Sequence, residues 1–168
     1  DIVTGQLLDI DLKSGALNRQ VIGELSGRVY SMNQLGIYQI TGNRADSLTM
    51  GLRLKKYFKR QSEDVINFKQ ADKFFIYINR EKSEVWIYVC QGKGKEEINF
   101  AIRYEQKNNR FKTYGFADVI TEHNDIYDIG TQEYSNLLGG FRPELDGSNT
   151  YYIFKLTLLK VIHISSRR

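Results

Sequence analysis

Few side chains in this chain can do chemistry. Its two histidines, His123 and His163, stand at no metal-ligand or triad spacing, and there is no Gly-x-Ser-x-Gly elbow, phosphate-binding glycine loop or His-Glu-x-x-His pair. His123-Asn124-Asp125 joins a base to an orienting carboxylate. Adjacent residues in one turn rarely face each other, however, and a base must lie within hydrogen-bond reach of its partner. Glu96-Glu97 and Asp125 with Asp128 are candidate carboxylate pairs for glycoside hydrolysis. That reaction needs the two groups at a fixed separation, which sequence does not supply. Asp9 and Asp11 share a strand face, as oxygen ligands of a divalent cation do, but two ligands are too few, and alternating acids on a wet strand face account for them. The single cysteine, Cys90, excludes an intramolecular disulfide and a cysteine-based metal cluster and reads as a packed or partly exposed thiol. We therefore expect no catalytic residue, no metal and no cofactor.

Binding has better raw material. Tyr127, Tyr134 and Phe141 are spaced through a polar, glycine-bearing stretch from Glu122 to Ser148 that also carries Asn124, Asp125, Asp128 and Gln132. Aromatic rings stack on the apolar face of a sugar while amides and carboxylates fix its hydroxyls. Asn124, Asp125, Tyr127, Asp128, Gln132, Tyr134 and Phe141 are thus the candidate ligand-binding set. The stretch reads as a long loop, where binding often resides. The same rings would equally serve to pin such a loop to the body of the fold.

The elements that must position these residues are strands. Phe74, Ile76 and Ile78 alternate with Phe75, Tyr77 and Asn79; after Arg80-Glu81-Lys82, Val85, Ile87 and Val89 alternate with Trp86 and Tyr88. A two-residue period predicts a β-hairpin, and apolar groups on both faces predict that it is covered on both, by a core and by a second sheet, partner chain or ligand. Leu35 to Ile40 reads as a strand entry ending at the Thr41-Gly42-Asn43 turn. Ile98 to Tyr104 and Phe111 to Val119 flank turn residues Lys107-Asn108-Asn109. Leu52 to Arg60 reads as strand in preference to a basic amphipathic helix, and Tyr151 to Ile164 as one long terminal strand. Seven or eight short strands without a well-capped helix predict an all-β, antiparallel β-sandwich or jelly roll. Residues 1–31 read as an N-terminal extension or connector and 32–168 as the β-sandwich domain.

The 168 residues, 41% hydrophobic, suffice for one domain with a real core. No apolar run is long enough to span a membrane, so membrane insertion is not expected. The net charge of +4 invites a nucleic-acid reading. The basic clusters, Arg53 to Arg60 and Lys93 with Lys95, are nevertheless broken by Glu63, Asp64, Glu96 and Glu97, which favours mixed-charge solvated faces over a phosphate track. Near-absence of proline removes one protection of edge strands, and oligomerisation would cover them.

Asn33, Leu35-Gly36-Ile37-Tyr38, Thr41-Gly42-Asn43, the apolar run Met50 to Leu54, and Trp86 with Tyr88 occur in an order that resembles the knob-type receptor-binding modules of bacteriophage tail fibres and phage-tail-like bacteriocins. A Gly-Ile-Tyr strand is also similar to one in trimeric C1q-like jelly rolls. The knob resemblance implies a non-enzymatic homotrimeric head, virion-borne or extracellular, that binds a cell-surface glycan or anionic polymer. Two other readings stand beside it: a structural virion or baseplate assembly component, and a small carboxylate-dependent hydrolase.

Overall fold

The computed structural model describes residues 15–49, 54–59, 62–128, 133–143, 148–157 and 160–165, with side chains left undescribed in 125–128, 133–136, 143, 154–157 and 160–165. Over these residues the chain is all-β and antiparallel, laid out as three four-stranded sheets. The first holds β1 (Ile22–Leu25), β2 (Arg28–Asn33), β3 (Gly36–Thr41) and β4 (Arg44–Ser47). The second holds β5 (Phe75–Asn79), β6 (Glu84–Val89), β7 (Phe100–Glu105) and β8 (Arg110–Gly115). The third holds β9 (Val119–Asp128), β10 (Glu133–Pro143), β11 (Asn149–Thr157) and β12 (Lys160–Ser165). Strands adjacent in each sheet are adjacent in sequence, so the layering is a sandwich of meanders, without the crossovers of a jelly roll.

The hairpin expected between Lys73 and Cys90 is β5–β6, with Tyr77 opposite Trp86 and Ile78 opposite Val85. Every residue of β6 is buried. One face of this central sheet carries Ile76, Ile78, Val85, Ile87, Val89, Ile102 and Tyr104. Ile76 and Ile78 lie against Gly23 of β1, and the Tyr104 ring centroid is 5.8 Å from that of Tyr30 of β2. The other face carries Phe75, Tyr77, Trp86 and Tyr88 and meets the third sheet through His123 of β9, whose ring stacks 3.5 Å from Tyr77. Layers on both sides explain why both residue sets had to be apolar.

Gly36 has a local reason of its own. Thr49 Oγ1 accepts the Ile37 N–H at 2.7 Å, and a Cβ on Gly36 would stand 2.5 Å from that same oxygen. Only glycine lets the chain pass so close to the hydroxyl.

Several expectations are corrected. Within the stretch Glu122 to Ser148, residues 122–128 and 133–143 are strand where a loop was expected: β9 and β10 pair there, with a register shift between Gly139 and Gly140, and 129–132 and 144–147 lie outside the described residues. Polar residues there belong to an antiparallel sheet with a solvated face, and glycines at a bulge imitate turn chemistry. Tyr151 to Ile164 forms two strands, β11 and β12, paired in a hairpin register. Within Leu52 to Arg60, Lys55–Phe58 is a single helical turn, α1, that buries Tyr57 against Phe100 at 5.1 Å; residues 52, 53 and 60 lie outside the described residues. Twelve strands are present among the described residues where seven or eight were expected. β2 runs through residue 31, and Val21, Leu25 and Tyr30 are buried in the same core as Trp86 and Ile102. The proposed strand at Leu8 to Leu12, with Asp9 and Asp11, lies outside the described residues.

Candidate functional site

Four chain segments, around residues 34–35, Phe58, 65–70 and 92–96, build an open cleft of about 900 Å³. Ile66 forms an isolated antiparallel bridge with Gln91, which brings the 65–70 segment beside the 92–96 turn. Around the bridge, the Gly92 N–H donates to Val65 O, the Asn67 N–H to Cys90 O and the Ile66 N–H to Tyr57 O, each at 2.8 Å. Asn67 is the joint of the site. Its Nδ2 donates to Lys95 O at 2.6 Å, and its Oδ1 accepts the N–H of Lys69 at 3.3 Å, capping the 3-10 turn Phe68–Lys73. On the other flank, Lys73 Nζ donates to Glu96 O at 2.8 Å and pairs with Glu97 at 2.7 Å. Long-range side-chain-to-backbone bonds of this kind hold turns that have no ladder of their own.

The walls are apolar: Phe58 of α1, Val65, Ile66, Phe68 and, from the β2–β3 turn, Leu35, which is 63% exposed. The Phe58 and Phe68 centroids are 6.0 Å apart with their planes tilted by 38°. Polar groups stand at the rim: Gln34, Asn67, Gln70, Lys69, Lys93 and Glu96. An apolar floor with a few directional polar groups is the usual build of a small-ligand or sugar site.

No protein-family model matches this chain, and no curated protein matches it significantly. Function has to be read from its own geometry.

A second polar constellation lies inside, on the face of the central sheet that meets β9. Arg103 of β7 sits directly across from Trp86 and is flanked by Glu84 and Glu105, which face each other across the β6–β7 pair. Arg103 Nη2 pairs with Glu105 Oε1 and lies 3.7 Å from Glu84 Oε1; Lys112 reaches Glu105 at 3.3 Å, and Trp86 Nε1 donates to Glu84 Oε2 at 2.9 Å. The guanidinium also lies 5.5 Å from the Trp86 ring and 5.9 Å from Tyr114. Glu84 is buried and Glu105 nearly so, and the cation held between them ties β6 to β7.

Of the sequence-predicted binding residues, Asn124 and Phe141 have described side chains. Asn124 is exposed on β9 and donates through Nδ2 to Glu122 at 3.2 Å. Phe141 is half-buried on β10, with its ring 6.0 Å from that of Tyr151. They stand on different rungs of one ladder, Asn124 opposite Leu137 and Phe141 opposite Val119. Asp125, Tyr127, Asp128 and Tyr134 are placed by their backbone in β9 and β10, with side chains outside the described residues, and Gln132 lies wholly outside them. Neither Asn124 nor Phe141 lines the cleft. Sequence reading did not single out the cleft residues, which share no spacing along the chain.

His123 is not a base in solvent. It is 5% exposed, its Nδ1 lies 2.7 Å from the Tyr88 hydroxyl, and Trp86 and Tyr88 meet its ring edge-on. Burial holds the Tyr88 phenol well above its ordinary range, and its hydroxyl shares one hydrogen bond with His123 Nδ1. Among the described residues, no group of three or more His, Cys, Asp or Glu converges as a metal site, and no helix is long and apolar enough to cross a membrane.

Cys90 is fully buried, and burial pushes its thiol from 9.0 up to about 11 against the opposing charge of Lys73. Tyr30 and Tyr104 are raised in the same direction, burial being the largest cause for each. Groups whose protons are held more tightly in the folded state stabilise it fully below their unfolded pKa and lose that contribution as pH rises toward the folded value. Stability is therefore expected to fall between pH 9 and 11, with Cys90 accounting for about 2–3 kcal/mol over that window. Urea midpoints measured across this range for the wild type and Cys90→Ala test it; an equal decline in both would deny Cys90 its share.

Proposed function

We propose that this protein is a non-enzymatic recognition domain for a cell-surface carbohydrate polymer, with the cleft between Leu35, Phe58, Phe68 and the 92–96 turn as its binding site. The cleft itself carries the reading: two aromatic rings and aliphatic walls offer apolar surface to a sugar face, and Gln34, Asn67 and Gln70 offer amides to its hydroxyls. The order of features shared with receptor-binding knobs supports the same reading, and with it a homotrimeric head on a virion or another extracellular structure. Asn124 and Phe141, on the third sheet, would then form a second contact region, separate from the cleft.

A glycan binding screen on the full chain tests the proposal. Leu35→Asp changes an exposed wall residue and Phe68→Ala removes a ring; each is expected to weaken glycan binding at least about tenfold, or about 1.4 kcal/mol. Circular dichroism confirms that each variant folds. Binding that survives both substitutions would move recognition away from the cleft.

One observation favours assembly as a second reading. Tyr151 and Ile153 of β11 are 67% and 55% exposed, next to Phe141, and such apolar groups on a sheet face suit contact with a neighbouring subunit. Concentration-dependent sedimentation that is abolished by Tyr151→Lys, with no glycan bound by the wild type, would put that reading first.

A further inference from the structure

We propose that the cleft selects an anionic saccharide, taking the carboxylate of a uronate or the phosphate of a phosphosugar at the Lys69–Lys93 rim while the sugar ring lies on Phe58 and Phe68. This rests on the carbohydrate reading of the same cleft and adds its charge class.

The rim lysines differ from their basic neighbours. Lys56 is paired with Asp64 at 3.0 Å and Lys73 with Glu97 at 2.7 Å, whereas Lys69 and Lys93, both exposed, have no ion-pair partner among the described residues. They reach the cleft from opposite flanks, Lys69 from the 3-10 turn and Lys93 from the 92–96 turn. Both flanks are tied together by the Asn67 side chain, which touches Lys69 N and Lys95 O. The two ammonium groups are thus carried on one braced frame and not on independent loops.

The turn adds a second anion-favouring feature. Gly92 and Gly94 take left-handed φ values of 104° and 75°, and the N–H groups of Lys93 and Gly94 find no partner among the described residues. Successive N–H groups in such a turn form a concave donor surface for an oxyanion. Among the described residues, Glu96 is the only carboxylate on the lining, against two ammonium groups, and it suits acceptance from sugar hydroxyls.

A sugar is favoured over single-stranded nucleic acid by the kind of aromatic surface present. Bases stack on successive exposed ring platforms along a basic track. Here the two rings are tilted against each other, partly buried against the core, and interspersed with three amide side chains.

The test uses the full chain with oligogalacturonate, its neutral methyl ester of equal length, a phosphorylated mannan oligosaccharide and oligodeoxythymidine, in calorimetry at low and at physiological salt. We expect at least one anionic sugar to bind about tenfold more tightly than the neutral ester, and salt to shrink that difference. Which anion wins distinguishes carboxylate from phosphate. The double variant Lys69→Ala, Lys93→Ala is expected to abolish the preference of acid over ester. Equal affinity for acid and ester, or a preference unchanged in the double variant, overturns the charge assignment while leaving the carbohydrate reading intact. No saccharide binding, or oligodeoxythymidine bound tighter than any sugar, overturns both.

Discussion

Arg103→Met is expected to destabilise the fold by about 3–5 kcal/mol, the range found when one partner of a buried ion pair is removed. The arginine side chain is 5% exposed, with Glu84 at 9% and Glu105 at 14%. Glu84 and Glu105 are direct cross-strand neighbours, a placement in which like charges repel. Arg103 lies between them and cancels that repulsion. Lys112 reaches Glu105 alone and is 55% exposed, so it cannot take over. Methionine keeps much of the volume but leaves two carboxylates facing each other in a low-dielectric layer. Adding Glu84→Gln to Arg103→Met should restore a large part of the loss, because it removes one of the uncompensated charges. Urea unfolding of the two single variants and the double variant measures this; a loss below about 1 kcal/mol in Arg103→Met would mean the cluster is solvated like a surface pair.

Trp86→Ala is expected to cost a similar 3–5 kcal/mol, for a different reason. Trp86 is 2% exposed and central to the layer between the second and third sheets: its ring is 5.1 Å from Tyr114, 5.5 Å from His123, and 5.5 Å from the Arg103 guanidinium. Truncation leaves a cavity on the face where β9 docks and removes the donor to Glu84 Oε2. Trp86→Phe should retain most of the packing and lose about 1–2 kcal/mol with the hydrogen bond. Because His123 leans on this ring, hydrogen exchange in β9 and β10 should rise more than in β2 and β3. Uniform acceleration over all three sheets would show instead that the layers unfold as one unit. The Trp86 and Arg103 effects share a contact and will not add.

The central sheet was legible because alternation of two apolar sets fixes both the strand and its coverage. Phe75 to Val89 could not be solvated on either face, and the structure puts a layer on each. Turn chemistry was equally local: Gly42 has φ 56° and Asn109 φ 47°, in the turns read from Thr41-Gly42-Asn43 and Lys107-Asn108-Asn109. Signals failed where one residue type serves two purposes. Gly139 and Gly140 read as loop residues and sit at a strand bulge. Lys55 to Phe58 fits an alternating pattern and folds as a helical turn, because Tyr57 gains a buried ring partner in Phe100, a contact across more than forty residues that no local propensity contains.

The candidate site was the least legible part. Asn124 and Phe141 were chosen because sugar-binding residue types cluster in their segment, yet they lie on separate rungs of a ladder and outside the cleft. Phe58, Phe68, Gln34 and Lys93 come from four separate segments and carry no shared spacing.

Sequence by itself determined the all-β antiparallel class, the central hairpin and the need to cover both its faces, since side-chain period and polarity are properties of neighbouring residues. Tertiary structure alone decided how the layers stack, that Arg103 reconciles two facing glutamates, and that a cleft exists. Those depend on which distant strands pair and on single joints such as Ile66 with Gln91 and Asn67 with Lys95, where one contact sets the position of a whole turn.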